Sequence, residues 1–352
     1  MNLQKKETKS DLGKTAAAAL LLVGVTFALP FLLFCGTGER AGAAEEQAQT
    51  LPAVPSPVTA ETVAEDTGTG EIDQARSVRV KCSDGTVVTT DMANYLWGVV
   101  AAEMPATFEL EALKAQAVTA RTYTLWKSLH NSSHADADVC TDYACCQAWV
   151  SKEDAAVNWG EHAEEYTDRI TQAVTATDGK VLYYEGSPIQ AVFHSSSAGS
   201  TEDAVNVWGS TVPYLVGVDT PEGDEVPNYH TETTLTADEV RAALEPLGCD
   251  LSGDPSTWFQ AFTYTDSGAV AAAQVGGQSL TGTTLRSALG LRSASFEVTC
   301  QEGSFTFSVT GYGHGVGMSQ YGANAMAQAG STWREIVAWY YTGVTVGDYP
   351  EE

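Results

Sequence analysis

MANYLWGVVAAEMPATFELEALKAQAVTARTYTLWKSL, residues 92–129, decides the architecture. Met92–Ala102 reads as one helix and Glu109–Leu129 as a second, with Leu110, Leu113, Ala117 and Ala120 on one stripe. Pro105 separates the two, because the residue before a proline avoids the α region. Upstream, Ser77–Cys82 and Thr86–Thr89 alternate as a hairpin does, with Ser83-Asp84-Gly85 as the turn. Downstream, His162–Ala176 reads as a third helix, followed by strand-like Lys180–Tyr184 and Ile189–His194. Thr236-Ala237-Asp238-Glu239 is a capping box that opens a helix to Leu244. Trp258–Asp266 with Ala269–Val275, and Ser295–Cys300 with Ser304–Thr310, look like paired strands. Ser319–Ala329 and Thr332–Tyr340 close the chain as helices. Helices and strands are segregated rather than strictly alternating, which predicts an α+β body of mixed helices and antiparallel strands.

Outward from that body, residues 15–38 carry no charge, and AAAALLLVGVTFALPFLLF within them is strongly apolar. About 20 apolar residues cross a bilayer as a helix. Four lysines precede the stretch, so the positive-inside rule holds residues 1–14 in the cytoplasm and exports the rest. The competing reading is a cleaved signal peptide, for which Ala41-Gly42-Ala43 offers a site. Either way the body lies outside the cytoplasm, and with the anchor retained it sits at the cell membrane as a single-pass protein. Residues 39–76 hold Pro52, Pro55, Pro57 and seven acidic residues from Glu45 to Asp73, the composition of a flexible acidic linker. The predicted organisation is a tail (1–14), a transmembrane anchor (15–38), a linker (39–76) and one catalytic body (77–352).

The 352 residues carry a net charge of −27. The first 40 residues hold five basic and three acidic side chains, so the remainder holds 13 and 42. A body so acidic is repelled by a phosphate backbone, which excludes nucleic-acid binding. With 43% hydrophobic residues there is material for a substantial core, and seven cysteines are too few for a disulfide scaffold.

Five constellations bear chemistry. Glu103 ends the first helix among apolar neighbours. The helix C-terminus and desolvation both disfavour its charged form, which suits a general acid; the bland alternative is an exposed helix-end glutamate. Lys114, Gln116 and Arg121 on the next helix read by themselves as ordinary surface. His194-Ser195-Ser196-Ser197 is a polar turn at a strand end, with no G-x-S-x-G elbow and no acidic partner in sequence. Gly311-Tyr312-Gly313-His314-Gly315-Val316-Gly317-Met318-Ser319-Gln320 alternates glycines before a helix, allowing close ligand approach, but fits neither a dinucleotide fingerprint nor a P-loop. His134, Cys140, Cys145 and Cys146 have the spacing of a zinc site or of an extracellular disulfide; adjacent cysteines rarely serve one ion, so one of Cys145 and Cys146 is expected to bind.

In order, GVVAAEMPATFELEALKAQAVTARTY (98–123), HADADVCTDYACCQAW (134–149), AVFHSSSAGSTEDAVNVWG (191–209), PYLVGVDTP (213–221) and GYGHGVGMSQYGANAMAQAG (311–330) resemble the SpoIID/LytB family. The resemblance spans roughly residues 77–346. It implies a peptidoglycan lytic transglycosylase that cleaves between N-acetylmuramic acid and N-acetylglucosamine and leaves a 1,6-anhydro end. It further implies action on peptide-stripped glycan strands during sporulation engulfment, beside a cell-wall amidase and membrane proteins of the engulfment complex. Glu103 falls on the family's catalytic glutamate. Gln116, Arg121, His194, Ser195, His314, Ser319 and Gln320 fall on residues lining its groove. His134, Cys140 and Cys146 match its structural zinc cluster, with Cys145 where a histidine is expected. The LytB branch implies the alternative, a glycan-binding amidase enhancer without turnover. A single carboxyl suffices for the transglycosylase reaction, and no second carboxylate pairs with Glu103 in the sequence.

Overall fold

The computed structural model describes residues 68–130 and 134–350. The expected cytoplasmic tail, the expected transmembrane anchor and residues 39–67 of the expected linker lie outside the described residues. Among those described, no helix is long and apolar enough to cross a membrane.

The body begins earlier than its sequence suggests. Glu71–Gln74 forms a short helix, α1, and Asp73 within it is fully buried, so the last part of the expected linker belongs to the fold. β1 (Ser77–Lys81) and β2 (Val87–Asp91) pair antiparallel, Ser77 opposite Asp91, around a turn in which Gly85 takes a left-handed φ of 85°. Asp91 then caps α2 (Met92–Glu103) by accepting the Asn94 N–H at 2.8 Å. Met104 ends that helix in extended conformation, as a residue before proline must.

α3 (Leu110–His130) is the axis of the body. It was expected to bury one stripe; instead Ala112, Leu113, Ala115, Gln116, Ala117, Val118, Thr119, Ala120, Arg121 and Thr122 are all fully buried. Its small residues let neighbours approach on every side, and α2, α5 (Ala163–Ala176), α9 (Gln320–Gln328) and α10 (Trp333–Tyr340) pack around it. The threonines do not orphan their hydroxyls: Thr122 and Thr124 donate back to the carbonyls of Val118 and Ala120, at 2.7 and 2.8 Å. Short elements frame this helical layer. They are β3 (Val139–Cys140), α4 (Lys152–Trp159), β4 (Val181–Tyr184), β5 (Ser187–Pro188), β6 (Phe193–His194) and α6 (Ala204–Trp208).

The single body expected from sequence carries two hydrophobic cores. Leu96, Leu113, Ile170, Leu182, Ile336 and Tyr340 belong to the first. The second gathers Val240, Leu244, Trp258, Leu285, Phe305 and Phe307 from residues 235–309. Its elements are β7 (His230–Thr236), α7 (Ala237–Leu244), β8 (Phe259–Tyr264), β9 (Val270–Val275), β10 (Gln278–Thr281), α8 (Gly282–Leu289), β11 (Phe296–Gln301) and β12 (Ser304–Thr310). They make two three-stranded antiparallel sheets, ordered β10-β9-β8 and β11-β12-β7. This region is an insertion that returns where it left. His230 pairs with Thr310, and Gly311 donates its N–H to the Tyr229 carbonyl at 2.8 Å. The chain then resumes the first core through β13 (Met318–Ser319), α9, α10 and β14 (Thr345–Gly347). The architecture is α+β, and its antiparallel pairs are joined by two parallel ones, β1 with β3 and β13 with β6.

Candidate active site

The parallel pair β6–β13 assembles the site. It sets Met318 opposite Phe193 and Ser319 opposite His194, so the H-S-S-S turn and the glycine-rich segment meet although they are over a hundred residues apart in sequence. Ser196 and Tyr312 extend the contact by exchanging backbone hydrogen bonds of 3.1 and 2.8 Å, and Tyr321 donates its N–H to the Ser195 carbonyl at 3.0 Å. Gly313 is needed there: it has φ 125°, and a Cβ on it would lie 2.6 Å from the His194 Cβ.

Glu103 is the last residue of α2. Its Oε1 accepts the Ala148 N–H at 2.7 Å. Burial pushes its pKa up to about 6, against the opposing pull of that N–H and of the Gln320 amide, both of which favour the anion. The Gln320 Nε2 is buried and makes no well-formed hydrogen bond to the described residues. The groups that set the proton affinity of Glu103 include no second carboxylate.

His194 and His314 lie with ring centroids 5.6 Å apart. Ser197 donates its hydroxyl to His194 Nε2 at 2.6 Å, and Nδ1 donates to the Val316 carbonyl at 3.2 Å, which fixes a neutral tautomer. Burial lowers His194 to about 3 and His314 to about 4, so both rings are uncharged near neutrality. Ser197 and His194 have the outline of a nucleophile and its base, but Ser197 is buried and the ring leans on a carbonyl rather than a carboxylate.

Sequence reasoning missed Glu222. It is buried beneath the turn, where Oε1 accepts the Ser197 N–H at 2.8 Å and the Ser319 hydroxyl at 2.5 Å, and Oε2 accepts the Thr220 hydroxyl. Thr220 also meets the Tyr340 hydroxyl at 2.7 Å. Ser319 in turn accepts the Gly322 N–H at 3.2 Å as the cap of α9, the helix that carries Gln320 toward Glu103. Only glycine fits at 322, since a Cβ there would collide with Tyr340, Thr220 and Glu222. Ser319 therefore acts as a cap beneath the site rather than as an exposed groove residue. Little near Glu222 in sequence announces the role, because only Thr220 is local and its other partners, Ser197 and Ser319, lie far along the chain.

Two expected groove residues are corrected. Arg121 is fully buried and forms a forked ion pair with Asp73, with nitrogen–oxygen distances of 2.6–3.1 Å, plus a bond to the Lys180 carbonyl at 3.2 Å. Gln116 is fully buried as well, and its amide makes no hydrogen bond to the described residues. Both face inward because α3 is enclosed on all sides.

His134, Cys140, Cys145 and Cys146 converge, their ligating atoms all within 4.8 Å of one another. The His134 Nε2 lies 3.4 Å from the Cys145 sulfur and 3.6 Å from that of Cys146, and the two sulfurs are 3.9 Å apart. Zn–N and Zn–S bonds of about 2.0–2.3 Å at tetrahedral angles give edges of about 3.5–3.8 Å, so the donor set fits a closed zinc site. Both adjacent cysteines take part in the cluster, contrary to the expectation of one, and no sulfur of the three is covalently bonded to another. The same loop is tied to α3 by Tyr123 and Lys127, which donate to the Cys145 carbonyl at 3.4 and 3.2 Å. Gln147 donates to Thr124 at 3.0 Å, and the next residue, Ala148, supplies the N–H on Glu103.

The family model "SpoIID: Stage II sporulation protein" matches residues 83–184. The chain is 36% identical to stage II sporulation protein D of Bacillus amyloliquefaciens over 94% of its length and 92% of the relative's. It is likewise 36% identical to the Bacillus subtilis (strain 168) protein of that name, over 94% and 93%. An amidase enhancer of Bacillus subtilis (strain 168) is 31% identical over 72% of this chain and 40% of the relative. At 36% identity to two of these relatives over 94% of its length, the chain belongs to the stage II sporulation protein D family.

Proposed function

We propose that the protein is a peptidoglycan lytic transglycosylase with Glu103 as its only acid and base. The observation that carries this reading is one carboxyl at a helix end, raised to about 6 by burial and steadied by a single backbone N–H. Protonated Glu103 donates to the glycosidic oxygen as the bond breaks through an oxocarbenium-like state. The resulting carboxylate, stabilised by Ala148 and Gln320, takes the proton from the muramic acid C6 hydroxyl as that oxygen closes on C1. Neither water nor a second carboxylate enters, in keeping with a site whose histidines are neutral and whose neighbouring carboxyls, Glu222 and Glu202, are held by hydrogen bonds to protein groups.

The substrate is peptide-stripped glycan exposed during engulfment, met by a body held outside the cytoplasmic membrane by residues 15–38 and a tether through residue 67. A cell-wall amidase and the membrane proteins of the engulfment complex are its proposed partners. A zinc ion held by His134, Cys140, Cys145 and Cys146 would supply a structural cross-link that fixes the loop bearing Ala148. Metal analysis of the anaerobically purified chain should give about one zinc per chain; an oxidised cysteine pair and no metal would replace the site with a disulfide.

Incubation of the purified chain with denuded glycan, with products separated by mass, tests the reaction. Anhydro ends, lighter by one water than reducing ends, are expected; reducing ends would make it a hydrolase. A second reading is favoured by the likeness to the amidase enhancer: glycan binding with no turnover. Intact glycan recovered from an incubation in which the chain remains bound would establish it.

A further inference from the structure

Denuded glycan is anionic, and so is this protein, with a net charge of −27. Arg121, the cation the sequence offers to the groove, is committed to Asp73. The insertion supplies two others. Arg286 and Arg292 have no carboxylate partner among the described residues. The Arg286 Nε donates to the Arg292 carbonyl at 3.0 Å, and the same carbonyl accepts the Gly313 N–H at 3.0 Å. That pins the arginine pair beside the glycine-rich segment. The Arg292 guanidinium lies 3.9 Å above the centre of the Tyr312 ring, and its Nε is buried without a hydrogen-bond partner. A guanidinium held over a ring face by its carbon keeps its terminal N–H groups for an acceptor, the chemistry that receives a carboxylate.

The place is right for a sugar chain leading away from Glu103. Gln320 faces Glu103, and the adjacent Tyr321 is held by the Ser195 carbonyl; Tyr312 is held by the neighbouring Ser196. Arg292 is close enough to Tyr321 to act on its hydroxyl and Arg286 close enough to act on His314. Tyr312 is 40% exposed and Trp208 43% exposed, with the Trp208 and His314 ring centroids 5.5 Å apart. Exposed rings offer flat apolar faces to sugars, and two unpaired arginines stand among them.

We propose that Arg286 and Arg292 form a carboxylate-binding subsite that takes the free lactyl carboxylate of a muramic acid residue in the strand lying across this wall. The inference rests on the glycan-cleaving reading. It gives that reading a physical basis for choosing denuded strands. A lactyl group bearing a stem peptide is a neutral amide, and only removal of the peptide creates the anion. The ligand is the sugar's own carboxylate; carboxylates within a stem peptide are the competing source of the same chemistry.

Binding to the full chain carrying Glu103→Gln, which keeps glycan intact, decides the matter by calorimetry. The probes are denuded glycan oligomers, the same oligomers with lactyl carboxyls reduced to alcohols, peptide-bearing oligomers of equal length, and chitotetraose. Denuded glycan should bind about tenfold more tightly than each of the others, the gain of one or two charge-assisted hydrogen bonds. Adding Arg286→Gln and Arg292→Gln should remove that advantage and leave chitotetraose affinity unchanged. Equal affinity for denuded and carboxyl-reduced glycan overturns the subsite whatever the variants do, because that arm alters only the ligand. Peptide-bearing glycan binding as tightly as denuded glycan assigns the arginines to peptide carboxylates and overturns it too. Reducing-end products from the unmutated chain, with the affinity ranking intact, would sink the transglycosylase reading and leave the subsite standing.

Discussion

Two carboxyls meet the start of α9, Glu222 at Ser319 and Glu103 at Gln320, and their surroundings differ. Glu222 is well satisfied: a backbone N–H and two hydroxyls bond its oxygens, and it is only 5% exposed. Glu103 has one backbone donor and a glutamine amide that forms no good bond, and it retains partial exposure. Burial raises the proton affinity of both. The difference in satisfied acceptors separates a carboxyl that holds a structure from one available to exchange a proton with a ligand. A third, Asp73, carries the structural case furthest, with Arg121 and the Tyr349 hydroxyl both on it, the latter at 2.7 Å.

The contrast can be broken by substitution. Glu103→Gln should abolish glycan cleavage, by about 10³-fold or more since one group serves as both acid and base, with an unchanged unfolding transition. Comparable turnover by the variant in a product assay would move catalysis elsewhere. Asp73→Ala leaves Arg121 buried without its counter-ion and should cost about 3–5 kcal/mol in urea unfolding, while cleavage per folded molecule is retained. Glu222→Ala should cost about 1–3 kcal/mol and lower kcat more than it raises KM, because Ser319 and hence Gln320 lose their support. Glu222→Gln should restore most of both, and failure of that rescue would remove the positioning role. The smallest effect sharpens the comparison by pH. A carboxyl whose folded pKa is raised from 4.5 to about 6 holds its proton more tightly in the folded state, so its contribution falls as pH rises through that window. The chain with Glu103→Gln should therefore be more stable than the unmutated chain by about 2 kcal/mol above pH about 6, at about 1.4 kcal/mol per unit, and equal to it below pH about 4.5. In the same window cleavage by the unmutated chain should decline as the acid form is lost.

What the sequence made legible was local. The break at Pro105, the Thr236–Glu239 box and the alternation of Phe305, Phe307 and Val309 all report their own neighbourhoods, and the structure has the corresponding helix end, cap and strand. Arg121 illustrates the limit. Its partner lies 48 residues upstream in a stretch whose composition reads as linker, so nothing along the helix reveals that the guanidinium points inward. The second core was unreadable for the same reason, since its closure depends on β7 pairing with β12 across some seventy residues. The helix Gly282–Leu289, capped by Thr281, passed unnoticed among short apolar runs. The metal cluster was visible as spacing, but whether both adjacent cysteines face one point depends on the loop path set by Tyr123 and Lys127.

The fastening at Asp73 has a mechanical consequence. Near the start of the described residues, Asp73 grips Arg121 on the central helix. Three residues later Arg76 lies 4.5 Å from the centre of the Tyr349 ring, near the other end of the described chain. A pull applied at residue 68 is thus transmitted to α3 through a forked ion pair before it reaches β1. Tension would be borne as shear across several bonds rather than by peeling one strand at a time. In single-molecule pulling from the N-terminal side, Asp73→Ala should lower the first rupture force, and an unchanged force would place the anchorage elsewhere. A body so fastened takes a load applied at its N-terminal end on its central helix first.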